Sequence, residues 1–306
     1  ITTMMGISVF PDDDQLFCGM IGTHGVKMAN AAVNECDVLF LVGARVGDRA
    51  VKTPLALEKT TKIIHIDIDP AEIGKNIGAD LPLVGDAKLV LQQMTELAKP
   101  MKHDEWIAHI KTLGGERKYV EPAKGTVNPR VFIDKLAKKM PANVTVVADV
   151  GQNQIWTCTE YKFRKEGRLL TSGGMGTMGY SVPAAIGAKM ADDSRATVAI
   201  CGDGAFQMSF MELATAVQFG VDIKVVVMTN NRLGMVRELQ TNGYHDRQTA
   251  VFLDGSPDFI KLAEAYGIPA MRVYDDDTME KGIEMLAEHK GICLVEVVVD
   301  KDMPTL

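Results

Sequence analysis

Along this chain short uninterrupted apolar runs alternate with stripes of apolar residues spaced three and four apart. That is the alternation expected of strands and helices that follow one another in a parallel sheet. Residues 38–42, 62–68, 144–148, 197–201 and 223–228 are runs rich in β-branched residues, short enough for buried strands. The run at 197–201 stops at Gly202-Asp203-Gly204, and a capping box, Ser209 with Glu212 three residues later, predicts the start of a helix. Phe210, Leu213, Ala214 and Val217 give that helix an apolar stripe, and Gly220 closes it. The run at 223–228 ends at Thr229-Asn230-Asn231. Two parallel strands joined by one helix place Asp203 and Asn230 side by side at the carboxyl edge of the sheet, where open α/β sheets bind ligands.

The same pattern covers the rest of the chain. From Gly19 to about Ala98 it reads as a nucleotide-binding type of α/β unit, with a glycine-rich turn and helix in GMIGTHGVKMANAAVNECD and GARVGDR leaving the strand at 38–42. Asp67 closes the next strand, where a dinucleotide fold sets an acid against a ribose hydroxyl; equally, Asp67, Asp69 and Pro70 can cap a following helix. No GxGxxG is present between Gly19 and Ala98. Residues 99–126 are charged, with Pro and Gly at both ends, and read as a linker holding one short helix around Trp106. Asn128 as N-cap and Pro129 at the first helical position open a helix that ends at Met140-Pro141. After the strand at 144–148, Asp149 and Gln152 of DVGQNQIW stand where they can cap a helix. A short strand at 169–170 leads into the glycine-rich SGGMGTMGY, which is either a flexible surface loop or a close backbone approach to a ligand. Residues 257–299 alternate helix and strand and complete the sheet.

Composition narrows the class. With 306 residues, 46% of them hydrophobic, the chain can bury two ordinary cores. Net charge is −7 with no basic run, which argues against nucleic acid as a partner. Cys18, Cys36, Cys158, Cys201 and Cys293 are odd in number and dispersed without a CxxC, which suits free thiols in a reducing cytoplasm. No apolar run approaches the ~18 residues of a membrane span. No His-Cys or His-carboxylate cluster has transition-metal spacing, and Ser209 lacks a nucleophile-elbow motif.

The candidate chemistry follows from the sheet edge. An Asp carboxylate and an Asn carbonyl are hard oxygen ligands suited to Mg²⁺, which keeps its other positions for water and phosphate. Gly204 and Ala205 are expected to offer backbone N–H groups to that phosphate, so the site reads as one for a magnesium diphosphate.

Gly202-Asp203-Gly204 and Asn230-Asn231, about thirty residues apart, resemble the thiamine diphosphate signature. SGGMGTMGYSVPAAIGAK before it and NNRLGMV after it resemble the large subunit of acetohydroxyacid (acetolactate) synthase. That resemblance implies two doubly wound parallel-sheet α/β domains. Residues 1–98 would be a partial FAD-type central domain, 99–126 a linker, and 127–306 the thiamine diphosphate-binding domain. Placing the family's LGMV on 233–236 makes Asp203, Asn230 and the Arg232 carbonyl the Mg²⁺ ligands, with Thr229 at the family's first Asn. Taking the NN pair literally makes Asn231 the ligand instead.

By the same resemblance Gly151, Gln152 and Asn153 hold the diphosphate, and Gly202, Gly204 and Ala205 line it. The Gly176 carbonyl meets the aminopyrimidine. Met178 and Met235 are placed with the catalytic residues, Met178 as the apolar wedge that bends the cofactor. IIHIDIDPAEIGKN and MIGTHG resemble FAD-binding segments, implying Thr23, His24, Gly43, Arg45, Asp67 and Glu72 near a flavin; Val46-Gly47 departs from the family's Phe-Asp there. A large aromatic that shapes the acceptor pocket in biosynthetic members is here Leu239.

What the resemblance implies for function is condensation of two 2-oxo acids, pyruvate with pyruvate or 2-oxobutyrate, with release of CO₂. It further implies a homo-oligomer, a regulatory subunit, and an activating Glu in an N-terminal domain outside this chain, which reads as a fragment beginning within the middle domain. Two alternatives stand beside it: another thiamine diphosphate decarboxylase or a flavin-free catabolic enzyme, and a non-catalytic fragment that binds cofactor without turnover.

Overall fold

Strands whose every residue is apolar or β-branched can bury both faces, as those at 145–148 and 197–201 do in a parallel sheet covered by helices. The computed structural model describes residues 1–115 and 119–306. The chain packs as two compact units, 1–3 with 16–117 and 4–15 with 118–306.

The first unit contains α1 (Lys27–Glu35), β1 (Val38–Val42), α2 (Pro54–Leu57), β2 (Lys62–Asp67), β3 (Leu81–Val84), α3 (Ala87–Leu97) and α4 (Asp104–Thr112). Its three strands form one parallel sheet in the order β1-β2-β3. Val33, Leu41, Val46, Leu57, Ile63 and Ile77 make its core. No helix follows Asp67: its Oδ1 accepts the Asp69 N–H at 2.9 Å and Asp69 Oδ1 the Ala71 N–H at 2.9 Å. The expected helix cap is therefore a pair of side-chain turns, because these short carboxylates satisfy the backbone locally without a helix to start.

The second unit contains α5 (Pro129–Lys139), β4 (Thr145–Ala148), α6 (Gln152–Glu160), β5 (Arg168–Thr171), α7 (Ser181–Ala191), β6 (Thr197–Gly202), α8 (Asp203–Gln207), α9 (Leu213–Gln218), β7 (Lys224–Thr229), α10 (Gly234–Gly243), α11 (Phe259–Ala265), β8 (Ala270–Val273), α12 (Asp276–Glu288) and β9 (Cys293–Val298). The strands form a six-stranded parallel sheet in the order β5-β4-β6-β7-β9-β8. Asn128 caps α5 as expected, its Oδ1 accepting the Arg130 N–H at 2.9 Å. Val147, Val182, Ala199, Cys201, Leu213, Val225 and Phe259 belong to the core on one face of the sheet. Cys158, Cys201 and Cys293 are buried, and all five thiols are free.

The strand order locates the site. From β4 the chain moves outward to β5, returns to β6 on the other side of β4, and continues away to β7. The carboxyl ends of β4 and β6 are thus a topological switch point, where connections leave in opposite directions and open a crevice.

One expected element is replaced. The chain turns into α8 directly at Asp203, and Ser209 makes no cap: its hydroxyl is buried without a partner, and a 3₁₀ turn spans Phe210–Glu212 before α9 begins. At three residues per turn that segment shifts the helical phase, so Leu213 and Ala216 face the core while Ala214 and Val217 are exposed.

Candidate functional site

At the end of β6, Asp203 is 2% exposed, and its carboxylate is satisfied by backbone alone. Oδ1 accepts the Gly204 N–H at 2.8 Å; Oδ2 accepts the N–H groups of Asn231 at 2.6 Å and Asn230 at 3.1 Å. Burial pushes its pKa up to about 6 despite those N–H groups, which favour the charged form. The Gly204 N–H is consequently not free for a phosphate, as the sequence suggested, because its own neighbour's carboxylate takes it. Ala205 N–H lies in the first helical turn, whose donors have no partner within the helix.

Asn230 and Asn231 diverge. Asn230 is half-buried on the wall of the crevice; its Oδ1 accepts the Arg232 N–H at 3.0 Å, and its Nδ2 donates to Gln152 Oε1 at 3.2 Å. Asn231 is exposed, with left-handed backbone at φ 55°, and stands off the wall. Arg232 contributes to the wall, while its guanidinium pairs with Asp254 at 2.8 Å and lies 4.6 Å from the Phe252 ring centroid.

Across the switch point, β4 runs into Gly151 at φ 146°, which no side-chain cap follows. Neither Asp149 nor Gln152 caps α6. Asp149 instead accepts the Gly179 N–H at 3.0 Å and the Ser181 N–H at 2.8 Å, tying the glycine-rich loop to β4 because its short side chain reaches sideways toward α7. Asn153 Nδ2 bridges the Asp149 carbonyl at 2.8 Å and the Ile200 carbonyl at 3.2 Å, joining β4 to β6. The loop so held brings Met178 to the crevice, whereas Gly176 is exposed at φ 68° and off its wall.

The crevice opens to solvent. One wall is polar, from Gly151, Gln152, Asn153, Gly202, Asp203 and Asn230; the other is apolar, with Met178, Leu233, Met235 and Val236. Two glycines keep it open: a Cβ on Gly204 would meet Leu233 Cδ2 at 2.8 Å, and one on Gly234 would meet Gln152 Oε1 at 1.9 Å. Among the described residues no three His, Cys, Asp or Glu side chains gather around a metal-sized space. A cation here would take a carboxylate, an amide oxygen and main-chain oxygen, the set suited to Mg²⁺. Trp156, Met228 and Val236 also line the crevice and were not foreseen; Trp156 lies one helical turn beyond Gln152, a spacing that points it to the same face. Leu239 is exposed on α10, off this wall.

In the first unit the flavin candidates sit in separate surroundings. Gly43, at φ 59°, and Asp67 follow paired residues Val42 and Ile66 at the carboxyl edge of β1 and β2. Thr23 N–H donates to the Arg49 carbonyl at 2.9 Å, and His24 adjoins it in the loop before α1. The Arg45 carbonyl accepts from Asn76, and Glu72 pairs with Lys75 at 2.6 Å. Val46, where the family departure falls, is buried at φ 51°.

No helix among the described residues is long and apolar enough to cross a membrane. Residues 149–297 match the family model of the thiamine pyrophosphate enzyme C-terminal TPP binding domain, and residues 1–94 that of the thiamine pyrophosphate enzyme central domain. The chain is 40% identical to the probable acetolactate synthase large subunit of Methanocaldococcus jannaschii, over 98% of this chain and 52% of that protein. It is 36% identical to the acetolactate synthase large subunit of Lactococcus lactis, over 98% and 52% respectively. It is 35% identical to the acetolactate synthase isozyme 3 large subunit of Escherichia coli, over 98% and 54%. The chain spans about half the length of the curated relatives it matches.

Proposed function

The chain belongs to the thiamine pyrophosphate enzymes, matching their central and C-terminal domains, and from that premise we propose that it is part of an acetolactate synthase large subunit. The reaction would join two 2-oxo acids, pyruvate with pyruvate or 2-oxobutyrate, with loss of CO₂. The observation that carries the reading is the pairing, across the β6–β7 edge, of a buried carboxylate held by three backbone N–H groups with an amide on the crevice wall.

The residues present fit a magnesium-bound thiamine diphosphate. Asp203, the Asn230 side-chain oxygen and the Arg232 carbonyl would hold Mg²⁺. Gly151, Gln152, Asn153, Gly202 and Ala205, at the openings of α6 and α8, would face the diphosphate, where helix N-termini favour anions. Met178 and Met235 would pack on the cofactor rings, with Gly176 approaching through its backbone. When bound, the cofactor supplies the electron sink that decarboxylation needs. The protein's part is to bind, orient and exclude water, and Met178, Leu233 and Val236 give the crevice its dry side.

The Gly43 and Asp67 edge supports FAD in the first unit, with Thr23, His24, Arg45 and Glu72 as its further contacts. The relatives' naming as large subunits supports a second, regulatory chain as partner; a homo-oligomer in the cytoplasm is part of the same proposal. Asp203 is the one carboxylate on the described crevice wall and is assigned to the metal. The activating acid is therefore assigned to the part of the relatives that this chain does not span.

Acetolactate formation from pyruvate, with and without Mg²⁺ and thiamine diphosphate, tests the reading. The 306 residues alone should bind both and form no acetolactate, with activity returning when the part of the relatives that this chain does not span is supplied, fused or in trans. A missing general acid or base costs about 10²–10⁴ in rate. Enzyme-like turnover by these residues alone would overturn the assignment of the acid, and no turnover by the reconstituted protein would overturn the function.

A further inference from the structure

Residues 303–305 are tied to the crevice by bonds that cofactor contact does not require. Gln152 Nε2 reaches three acceptors on that side: the Met303 carbonyl at 2.9 Å, the Thr305 hydroxyl at 3.2 Å and the Glu238 carboxylate at 3.4 Å. Thr305, 2% exposed, donates its hydroxyl to Glu238 and its N–H to the same carboxylate at 3.2 Å. Trp156 Nε1 donates to the Pro304 carbonyl at 3.1 Å.

Acceptors on one side of an amide decide which way it faces. With Nε2 drawn to this cluster, Gln152 can turn only its oxygen to Asn230, and Oε1 accepts from Asn230 Nδ2 at 3.2 Å. A reversed Gln152 would set two donor groups against each other. Asn230 is oriented in turn: its nitrogen end is committed to Gln152, and Oδ1, which also accepts the Arg232 N–H at 3.0 Å, is the end presented to a cation. Gly234 leaves the Gln152 oxygen its space, since a Cβ there would lie 1.9 Å from it.

We propose that Thr305 and Glu238, with the Met303 carbonyl, are positioning residues that fix the Gln152 amide and through it present the Asn230 oxygen to Mg²⁺. The proposal rests on Asn230 being a Mg²⁺ ligand.

Thr305→Val keeps the side chain's volume and removes both hydroxyl bonds; Thr305→Ser keeps the bonds. Mg²⁺ is titrated calorimetrically into the full chain at saturating thiamine diphosphate. Losing a partner that orients a metal ligand weakens metal affinity by about tenfold. That loss is expected for Thr305→Val and not for Thr305→Ser, with melting temperature and Trp156 emission, read in a Trp106→Phe background, unchanged. In the complete enzyme the apparent KM for Mg²⁺ should rise while kcat at saturating Mg²⁺ is kept. Should Thr305→Val fail to fold, Glu238→Ala gives the same readout. Wild-type Mg²⁺ affinity in the variant overturns the proposal, as does an affinity loss that appears only with red-shifted Trp156 emission, which would mean a displaced segment. Asp203→Ala is the control: if it too binds Mg²⁺ normally, the reading of the metal site fails, and if it alone loses Mg²⁺, only the positioning role fails.

Discussion

Asp203 Oδ2 accepts the backbone N–H of Asn231 at 2.6 Å, so the carboxylate that ends one strand is held by the turn that ends its neighbour. This makes Asp203 part of the sheet edge as well as a candidate ligand, and its ionisation has a stability consequence. Burial raises its pKa from 3.8 to about 6, so the folded chain holds the proton more tightly than the unfolded chain. The resulting stabilisation is fully present below about 3.8 and is lost as pH rises through about 6. In EDTA, the wild type should lose about 2 kcal/mol relative to Asp203→Asn between pH 4.5 and 7, measured by urea unfolding. A wild type that gains on the variant over that range would contradict the burial argument.

The two asparagines should separate cleanly. Asn230→Ala is expected to abolish Mg²⁺-dependent thiamine diphosphate binding with the circular dichroism spectrum unchanged. Asn231 offers only backbone to Asp203, and its φ of 55° is left-handed. Asn231→Gly should therefore be neutral or stabilising, and Asn231→Val should cost about 1–2 kcal/mol. Neither should alter Mg²⁺ affinity. Loss of Mg²⁺ in Asn231→Gly, with Asn230→Ala unaffected, would exchange the two assignments.

The strands of the second unit were legible because a doubly buried strand has few polar positions to confuse its reading: β4, β6 and β7 lie within a residue of their apolar runs, and β1 at Val38–Val42 matches its run although Val38, Phe40 and Val42 are exposed. Asn128 and Pro129 were legible because their cap chemistry is local. Ser209 misled for the opposite reason. Its spacing to Glu212 satisfies a local rule, but the chain had already entered α8 at Asp203, where tertiary bonds from Asn230 and Asn231 set the turn. Asp203 was legible as a candidate from the strand that ends on it, whereas Gln152 and Met178 were candidates only as members of a resembled pattern. That Gln152 faces Asn230, and that Gly204 N–H is spent on Asp203, depend on contacts between segments that no spacing encodes.

Gly234 should prove intolerant despite opening a helix, where alanine is ordinarily favoured by about 1 kcal/mol over glycine. A Cβ there would lie 1.9 Å from Gln152 Oε1 and 3.1 Å from Asn230 Nδ2, so Gly234→Ala must displace one amide or the other. We expect cofactor affinity to fall by about tenfold or more, with thermal stability changed little. Undiminished thiamine diphosphate affinity in this variant, measured by calorimetry, would show that the two amides are not packed against Gly234 as described.

Leu239 bears on substrate choice. It lies one helical turn beyond Met235 on α10, so the two side chains share a face: Met235 lines the crevice, and Leu239 continues that face outward, 61% exposed. An acceptor seated past Met235 would meet a small aliphatic surface, where the resemblance to the biosynthetic family implies a large aromatic. Differences of about 1–3 kcal/mol are typical of pocket discrimination by a methylene. The hypothesis is that the complete enzyme prefers 2-oxobutyrate to pyruvate only weakly, and that Leu239→Trp raises the preference by about tenfold or more. Because the side chain is exposed, neither Leu239→Trp nor Leu239→Ala should shift the melting temperature appreciably, which keeps a change in selectivity separate from a change in fold. A competition assay that finds strong 2-oxobutyrate preference in the wild type, undiminished in Leu239→Ala, would remove Leu239 from the acceptor pocket.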